Sequence, residues 1–350
     1  MKKIIIGLVI IIGASVFLFT YKSTTIDTQL TIGAILPLSG PAAIWGENVQ
    51  KGIHLALENK EGVHVIYEDS KGKPAEGVSA FHSLKVKKAD IMLSILSAVS
   101  IPVSKVAEEE KVPLFATLTA ADGIVNPYTV RYYSNASNFA SPSFTDPLSP
   151  ILTTKKIAVL YRNDDLGKSV QNNILTLAQS KNIEVTYIES FNPGEIDFNT
   201  AISKVKNSKA EALVFVPVTP SEATGIVKAA KTLSLNIPLV EASNVFADIA
   251  TRESVPDSEF YTNVYSFAKS EDPSVIDFKN KYRAKYNSDP NFAVAFGYDA
   301  ANILYACKDR KNDILKCLKE NKTNTGITGL ATQIADGDFN VPMVFDEVKR

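Results

Sequence analysis

The only tryptophan of the chain, Trp45, stands in LPLSGPAAIWGEN (36–48), on a Gly/Pro loop just ahead of a helical pattern. Tryptophan pairs a large apolar face with a single N–H donor and usually ends in a core or an interface. On this loop it is either the wall of a ligand pocket or a staple against its own helix. The groups that catalysis would need gather nowhere. SGPAAIWG lacks the Gly-x-Gly-x-x-Gly spacing of a dinucleotide site. There is no Gly-x-Ser-x-Gly elbow and no P-loop, and His54, His64 and His82 are scattered. With two cysteines they make no recognisable metal cluster. The chemistry on offer is binding: no enzyme activity, no metal and no cofactor are expected.

The formal net charge of −1 over 350 residues leaves no electrostatic footprint for nucleic acid. Lys85, Lys87 and Lys88 read as a solvated helix face. At the N-terminus, Lys2 and Lys3 precede IIIGLVIIIGASVFLF (4–19). This run suits a signal-peptide core and falls just short of the ~20 residues of a spanning helix. Residues 1–26 are therefore a signal peptide or an N-terminal membrane anchor. The remainder is expected outside the cytoplasm, in the periplasm or on the outer face of the cytoplasmic membrane. Cys307 and Cys317 agree with export. They lie in ANILYACKDRKNDILKCLKEN, where two helical patterns flank a polar turn. A disulfide across that hairpin is expected in an oxidising compartment, two unpaired cysteines being the alternative.

The elements that must position these residues follow one grammar. LTIGAIL (30–36), HVIYED (64–69), ADIMLSIL (89–96) and VPLFATL (112–118) read as strands, with helical patterns between them. This is the βαβ alternation of a mostly parallel sheet flanked by helices. Residues 121–150, rich in Asn, Pro and Ser, read as a break. The pattern then restarts with strands at 155–162, 183–191, 212–218 and 237–242, and Thr219 with Glu222 forms a capping box. After a strand at 259–267 come two helices and a final stretch of two short strands. In open α/β sheets ligands sit beyond the carboxyl ends of the strands. Those ends lead here to Trp45, to Ser97 and Ala98, and to Leu118, Thr119 and Ala120. Each serine or threonine is equally a plain helix cap.

LPLSGPAAIWGENVQKGIHLALE resembles the start of type I periplasmic binding proteins of the leucine/isoleucine/valine-binding branch. SILSAVSIPVSKVAEEEKVPLFATLTA (94–120), DDLGKSVQNNI (164–174), EALVFVPVTPSEATGIVKAAKTLSLNIPLVEAS (211–243) and FAVAFGYDAANIL (292–304) continue the likeness in order. The resemblance implies two Rossmann-like lobes joined by three hinge crossings, near 132–135, 264–267 and 335–339. Lobe 1 would hold 27–133 and 265–335, and lobe 2 would hold 134–264 and 336–350. It implies a solute-binding protein, monomeric, that captures an amino acid or related small carboxylate or amide and delivers it to ABC permease subunits. A membrane-anchored ligand sensor of the same fold is the alternative. Carried over by position, Trp45 supplies an aromatic wall, and Ser97, Ala98, Leu118, Thr119 and Ala120 meet a ligand carboxylate. Leu166 and Thr219 stand where the family often has aromatics. Ser243 stands where branched-chain binders hold the ligand ammonium with an acid; Glu241, two residues earlier, is a candidate substitute and Glu222 another, and unless one of them turns inward an uncharged or purely anionic small ligand is the rival reading. Tyr298 and Phe296 would close the far side, or else belong to a core helix face.

Overall fold

The computed structural model of the protein describes residues 29–348. The expected signal or anchor at 1–26 lies outside the described residues. Among those described, no helix is long and apolar enough to cross a membrane.

Strands β1 (Leu30–Leu36), β2 (Val63–Asp69), β3 (Ile91–Ile95), β4 (Leu114–Thr117) and β5 (Thr129–Tyr132) are all parallel, in the spatial order β5-β4-β3-β1-β2. Helices α1 (Ala43–Leu57), α2 (Pro74–Val86) and α3 (Ser97–Glu109) connect the first four. Every residue of β3 and β4 is buried, as strands covered on both faces must be. After α4 (Ala136–Thr145) a second sheet begins. Strands β6 (Lys156–Arg162), β7 (Glu184–Phe191), β8 (Ala212–Val216), β9 (Leu239–Glu241) and β10 (Phe260–Tyr265) lie in the order β10-β9-β8-β6-β7. Its helices are α5 (Asp165–Ser180), α6 (Asn199–Asn207), α7 (Pro220–Thr232) and the short α8 (Ile249–Glu253). The fold is that of two α/β lobes, each a mostly parallel sheet flanked by helices.

The segment read as a break holds two elements. All four residues of β5 are buried between β4 and the later chain, and Asn135 caps α4 by accepting from the Asn138 N–H. Polar composition hid both, because the burial of TVRY comes from its neighbours rather than from its own pattern. Past β10 the chain returns to the first lobe. Helices α9 (Pro273–Tyr286), α10 (Phe292–Ala306) and α11 (Ile314–Glu320) precede β11 (Thr323–Gly326), β12 (Gly329–Ala335) and β13 (Asp338–Asn340), all three strands joining the first sheet. Only β14 (Met343–Val348) belongs to the second, antiparallel to β10. The expected third crossing at 335–339 is therefore too early: Asp338 and Phe339 still pair with Arg131 and Tyr132 of β5, and the chain crosses at 341–342. The terminal stretch read as two strands is three.

Cys307 and Cys317 are bonded, their Cα atoms 5.9 Å apart, between α10 and α11. Helices α1 and α10 cross so closely that a Cβ on Gly52 would meet the Val294 carbonyl at 2.1 Å, and one on Gly297 the Val49 carbonyl at 2.4 Å. That contact seats Phe292, at the start of α10, beside Trp45 near the start of α1. Their ring centroids are 5.1 Å apart.

Candidate functional site

Trp45 is nearly buried, 3% exposed, because it is enclosed by both lobes. Gly46 lets α1 lie against the end of β1, where a Cβ would strike the Pro37 carbonyl at 2.0 Å. The indole thus projects across the cleft, and its Nε1–H donates to the Val218 carbonyl of the second lobe at 3.0 Å. That acceptor is itself held in place. Glu222, fully buried, accepts from the N–H groups of Val218, Thr219 and Gly194 at 3.0–3.1 Å and pairs with Arg162 at 3.4 Å. Further bonds span the lobes, among them the Asp122 N–H to Ser169 Oγ at 3.2 Å, Asn291 Nδ2 to Asp248 Oδ1 at 3.1 Å and Asn138 Nδ2 to Asn340 Oδ1 at 2.7 Å.

Around Trp45 lies a cavity of about 40 Å³, walled from the first lobe by Leu96, Leu118, Ala120 and Phe292 and from the second by Leu166, Pro217, Val218 and Ser243–Val245, with Tyr133 and Phe139 behind. This is room for a few waters at most. Leu96 and Leu118 end β3 and β4 with φ of +68° and +46°, a region that non-glycine residues rarely occupy and that recurs at functional sites. The loop after Leu118 is tied from behind. Arg131 donates to the Ala120 and Ala121 carbonyls at 3.3 and 3.1 Å while its other nitrogens grip Asp338 at 2.7 Å. Tyr133 Oη accepts from Asn244 Nδ2 at 3.1 Å, and burial holds the phenol well above its ordinary pKa, so it stays neutral.

The family described as periplasmic binding protein matches residues 29–349 of the chain. The chain is a periplasmic binding protein. It belongs to the type I, leucine/isoleucine/valine-binding branch, whose members are extracytoplasmic solute-binding proteins. Leu/Ile/Val-binding protein homolog 3 of Brucella melitensis is 29% identical over 202 residues, 53% of this chain and 54% of that protein. The chain thus spans about half the length of that relative. Among solved structures, a leucine-binding protein from Thermotoga maritima has a TM-score of 0.81 at 21% identity, covering 92% of this chain and 96% of its own. A solute-binding protein of an R. palustris ABC transporter, in complex with 4-hydroxybenzoate, has a TM-score of 0.82 at 18% identity, covering 92% and 93%.

In this binding protein, Trp45, Leu118, Ala120, Leu166 and Ser243 all line the one cavity. The other expected residues do not. Ser97 is 4% exposed, and its Oγ accepts from the Ala121 N–H at 3.1 Å, bracing the loop. Ala98 is half-buried in the first turn of α3, off the cavity wall. Thr119 turns inward, its Oγ1 2.9 Å from both Ser100 Oγ and the Thr117 carbonyl. Thr219 caps α7, completing the capping box with Glu222. Tyr298 packs on Phe278, ring centroids 4.8 Å apart, and Phe292 takes the far wall in its place.

Glu241 does not face the cavity. It is fully buried, and its carboxyl accepts from the Ser243 and Thr262 hydroxyls and from the N–H groups of Val245 and Phe246. Burial pushes its pKa up against those four donors. With its oxygens used to fold the 241–246 turn, Glu241 has nothing left for a ligand ammonium. Sequence reading missed Leu96, Tyr133, Phe139, Pro217, Val218, Asn244 and Val245. Leu96 and Pro217 directly follow β3 and β8, and Asn244 lies in the turn after β9, which was the available signal. Tyr133 and Phe139 come from the polar 121–150 segment, whose composition hides its strand and helix.

Proposed function

We propose that this protein captures a small carboxylate or amide lacking an α-ammonium group between its lobes and delivers it to the permease of an ABC-type importer. The observation that carries this reading is the absorption of both nearby acids, Glu241 and Glu222, into the protein's own hydrogen bonds, beside a wall of Trp45, Leu118, Phe139, Leu166 and Phe292. An ammonium in such a cavity would be left without a carboxylate, at a cost of several kcal/mol. The apolar body of the ligand would lie on the aromatic rings. Its carboxylate would lie beside Leu96 at the start of α3, where the helix dipole favours an anion. That the R. palustris protein holds 4-hydroxybenzoate, a ligand with no ammonium, on the same fold supports the choice.

The present cavity is far smaller than the ~300 Å³ of ordinary ligand pockets, so ligand access requires the lobes to part and the Trp45–Val218 bond to break. Reclosure over the ligand would then signal occupancy to the permease, and the protein itself performs no reaction. Thermal-shift titration with benzoate, 4-hydroxybenzoate and 4-methylpentanoate tests the reading, since a ligand bound only by the folded state raises the melting temperature with concentration. At least one acid is expected to do so in the wild type and to fail in Trp45→Ala. Silence from all ammonium-free acids and amides would overturn it.

A further inference from the structure

A second and larger hollow lies beside the central cavity. It measures about 550 Å³, between the 247–253 segment of the second lobe and helix α9 with the 288–292 loop of the first. Ile249, Lys269 and Asp289 on its rim are exposed, so it is a groove open to solvent. Its floor is aromatic, made by Tyr265, Phe267 and Phe292. Among the described residues, Phe292 alone lines both this groove and the cavity of about 40 Å³ around Trp45.

The ring centroid of Phe292 is 5.1 Å from that of Trp45, on the cavity side, and 6.1 Å from that of Tyr265, on the groove side. One phenyl ring thus stands between an enclosed space with room for a few waters and an open one of ordinary pocket size. Its position depends on the lobes. Phe292 is the first residue of α10, and Asn291 before it caps that helix by accepting from the Val294 N–H at 3.2 Å. The same Asn291 donates from Nδ2 to Asp248 of the second lobe at 3.1 Å. Parting the lobes breaks that bond, and the start of α10 loses its tie to the second lobe.

We propose that Phe292 is a movable partition that sets the length of ligand the protein retains. With the ring in place, the lobes close over a compact ligand. With the ring swung aside while the lobes are apart, reclosure over a longer ligand leaves its far end in the groove, on Tyr265 and Phe267. The groove suits an apolar tail better than a second charge, because most of its rim charges are matched among themselves. Arg252 and Lys269 share Asp346 at 3.3 and 2.6 Å, and Arg283 pairs with Asp289 at 2.5 Å. The length rule rests on the capture of an ammonium-free acid between the lobes; the partition itself does not.

Two experiments on the full chain test this. Trp45 is the only tryptophan, so quenching of indole fluorescence by acrylamide reads how readily a small solute reaches the cavity. With no ligand present, Phe292→Ala should raise the quenching constant several-fold, and Phe292→Leu, which keeps more of the core filled, by less. Lobe separation, read by pulsed dipolar EPR between cysteines introduced at the exposed positions Lys105 and Lys228, should stay as in the wild type. Unchanged quenching in the folded variants would overturn the partition, and so would a rise that comes with parted lobes. The second experiment is calorimetric titration with benzoate and 6-phenylhexanoate. Phe292→Ala should raise affinity for the longer acid relative to benzoate by about tenfold or more. Ile249→Asp, on the exposed rim of the groove, should weaken the longer acid several-fold and leave benzoate within about twofold. An affinity ratio unmoved in both variants would overturn this inference alone. Silence from both acids in every form of the protein would refute the capture of ammonium-free acids, and with it the length rule, while the quenching result still decides the partition.

Discussion

If Trp45 is a strut between the lobes, removing its N–H should open the molecule without unfolding it. Trp45→Phe keeps an aromatic ring against Phe292 and deletes only the donor that reaches Val218 at 3.0 Å. A neutral hydrogen bond of this kind contributes about 0.5–1.5 kcal/mol net. The bond exists only while the lobes touch, so its whole value falls on the closed–open equilibrium. That equilibrium should shift toward open by about 2- to 13-fold. Spin labels on cysteines introduced at the exposed positions Lys105, on α3, and Lys228, on α7, report the lobe separation by pulsed dipolar EPR. The wild type should give a dominant short distance, and Trp45→Phe a larger long-distance fraction at nearly unchanged melting temperature. A lowered melting temperature with the distance distribution unmoved would refute the strut and restore the staple reading.

Other consequences follow from the buried groups. Glu241→Ala leaves two hydroxyls and two N–H groups without their acceptor, so urea unfolding should show a loss of about 3 kcal/mol or more. Its ratio of affinities for acids with and without an ammonium should not change. Removing the Cys307–Cys317 bond, which closes a loop of sequence separation 10, should lower stability by about 2–3 kcal/mol on the chain-entropy account, measured on the double alanine variant. Asp299 anchors the 326–328 turn through the Ile327 and Thr328 N–H groups and the Thr328 hydroxyl, yet burial raises its pKa to about 6. The folded state therefore keeps the proton to higher pH than the unfolded chain. Stability from this group falls as pH rises from about 4 to about 6, by about 2–3 kcal/mol. Asp299→Asn should flatten that part of the stability–pH curve, and an unchanged slope would count against the assignment.

The parallel lobes were legible because their strands are buried on both faces and announce themselves as short apolar runs such as ALVFV and IMLSI. The ends of those strands led to Trp45, Leu118 and Ala120, which do meet in one cavity. Side-chain direction was not legible. Thr119 and Ala120 are neighbours in sequence, but one backs onto Ser100 and the other faces the cleft. Glu241 looked like a ligand group by position, and only the surrounding turn shows that its oxygens are consumed. β5 and β13 were hidden for a related reason. TVRY and DFN are short and partly polar, and they become strands because Arg131 and Asp338 pair across them inside the sheet.

Trp45 supplies the only indole N–H in the chain, so it gives a single resonance in a nitrogen–proton correlation spectrum. Titration of the labelled full chain with benzoate, 4-hydroxybenzoate and 4-methylpentanoate, and separately with L-leucine, asks directly what enters the cavity at Trp45. Capture of an ammonium-free acid predicts that at least one of those acids moves the indole resonance saturably, while leucine leaves it in place. A resonance moved saturably by leucine and unmoved by every acid would contradict the account.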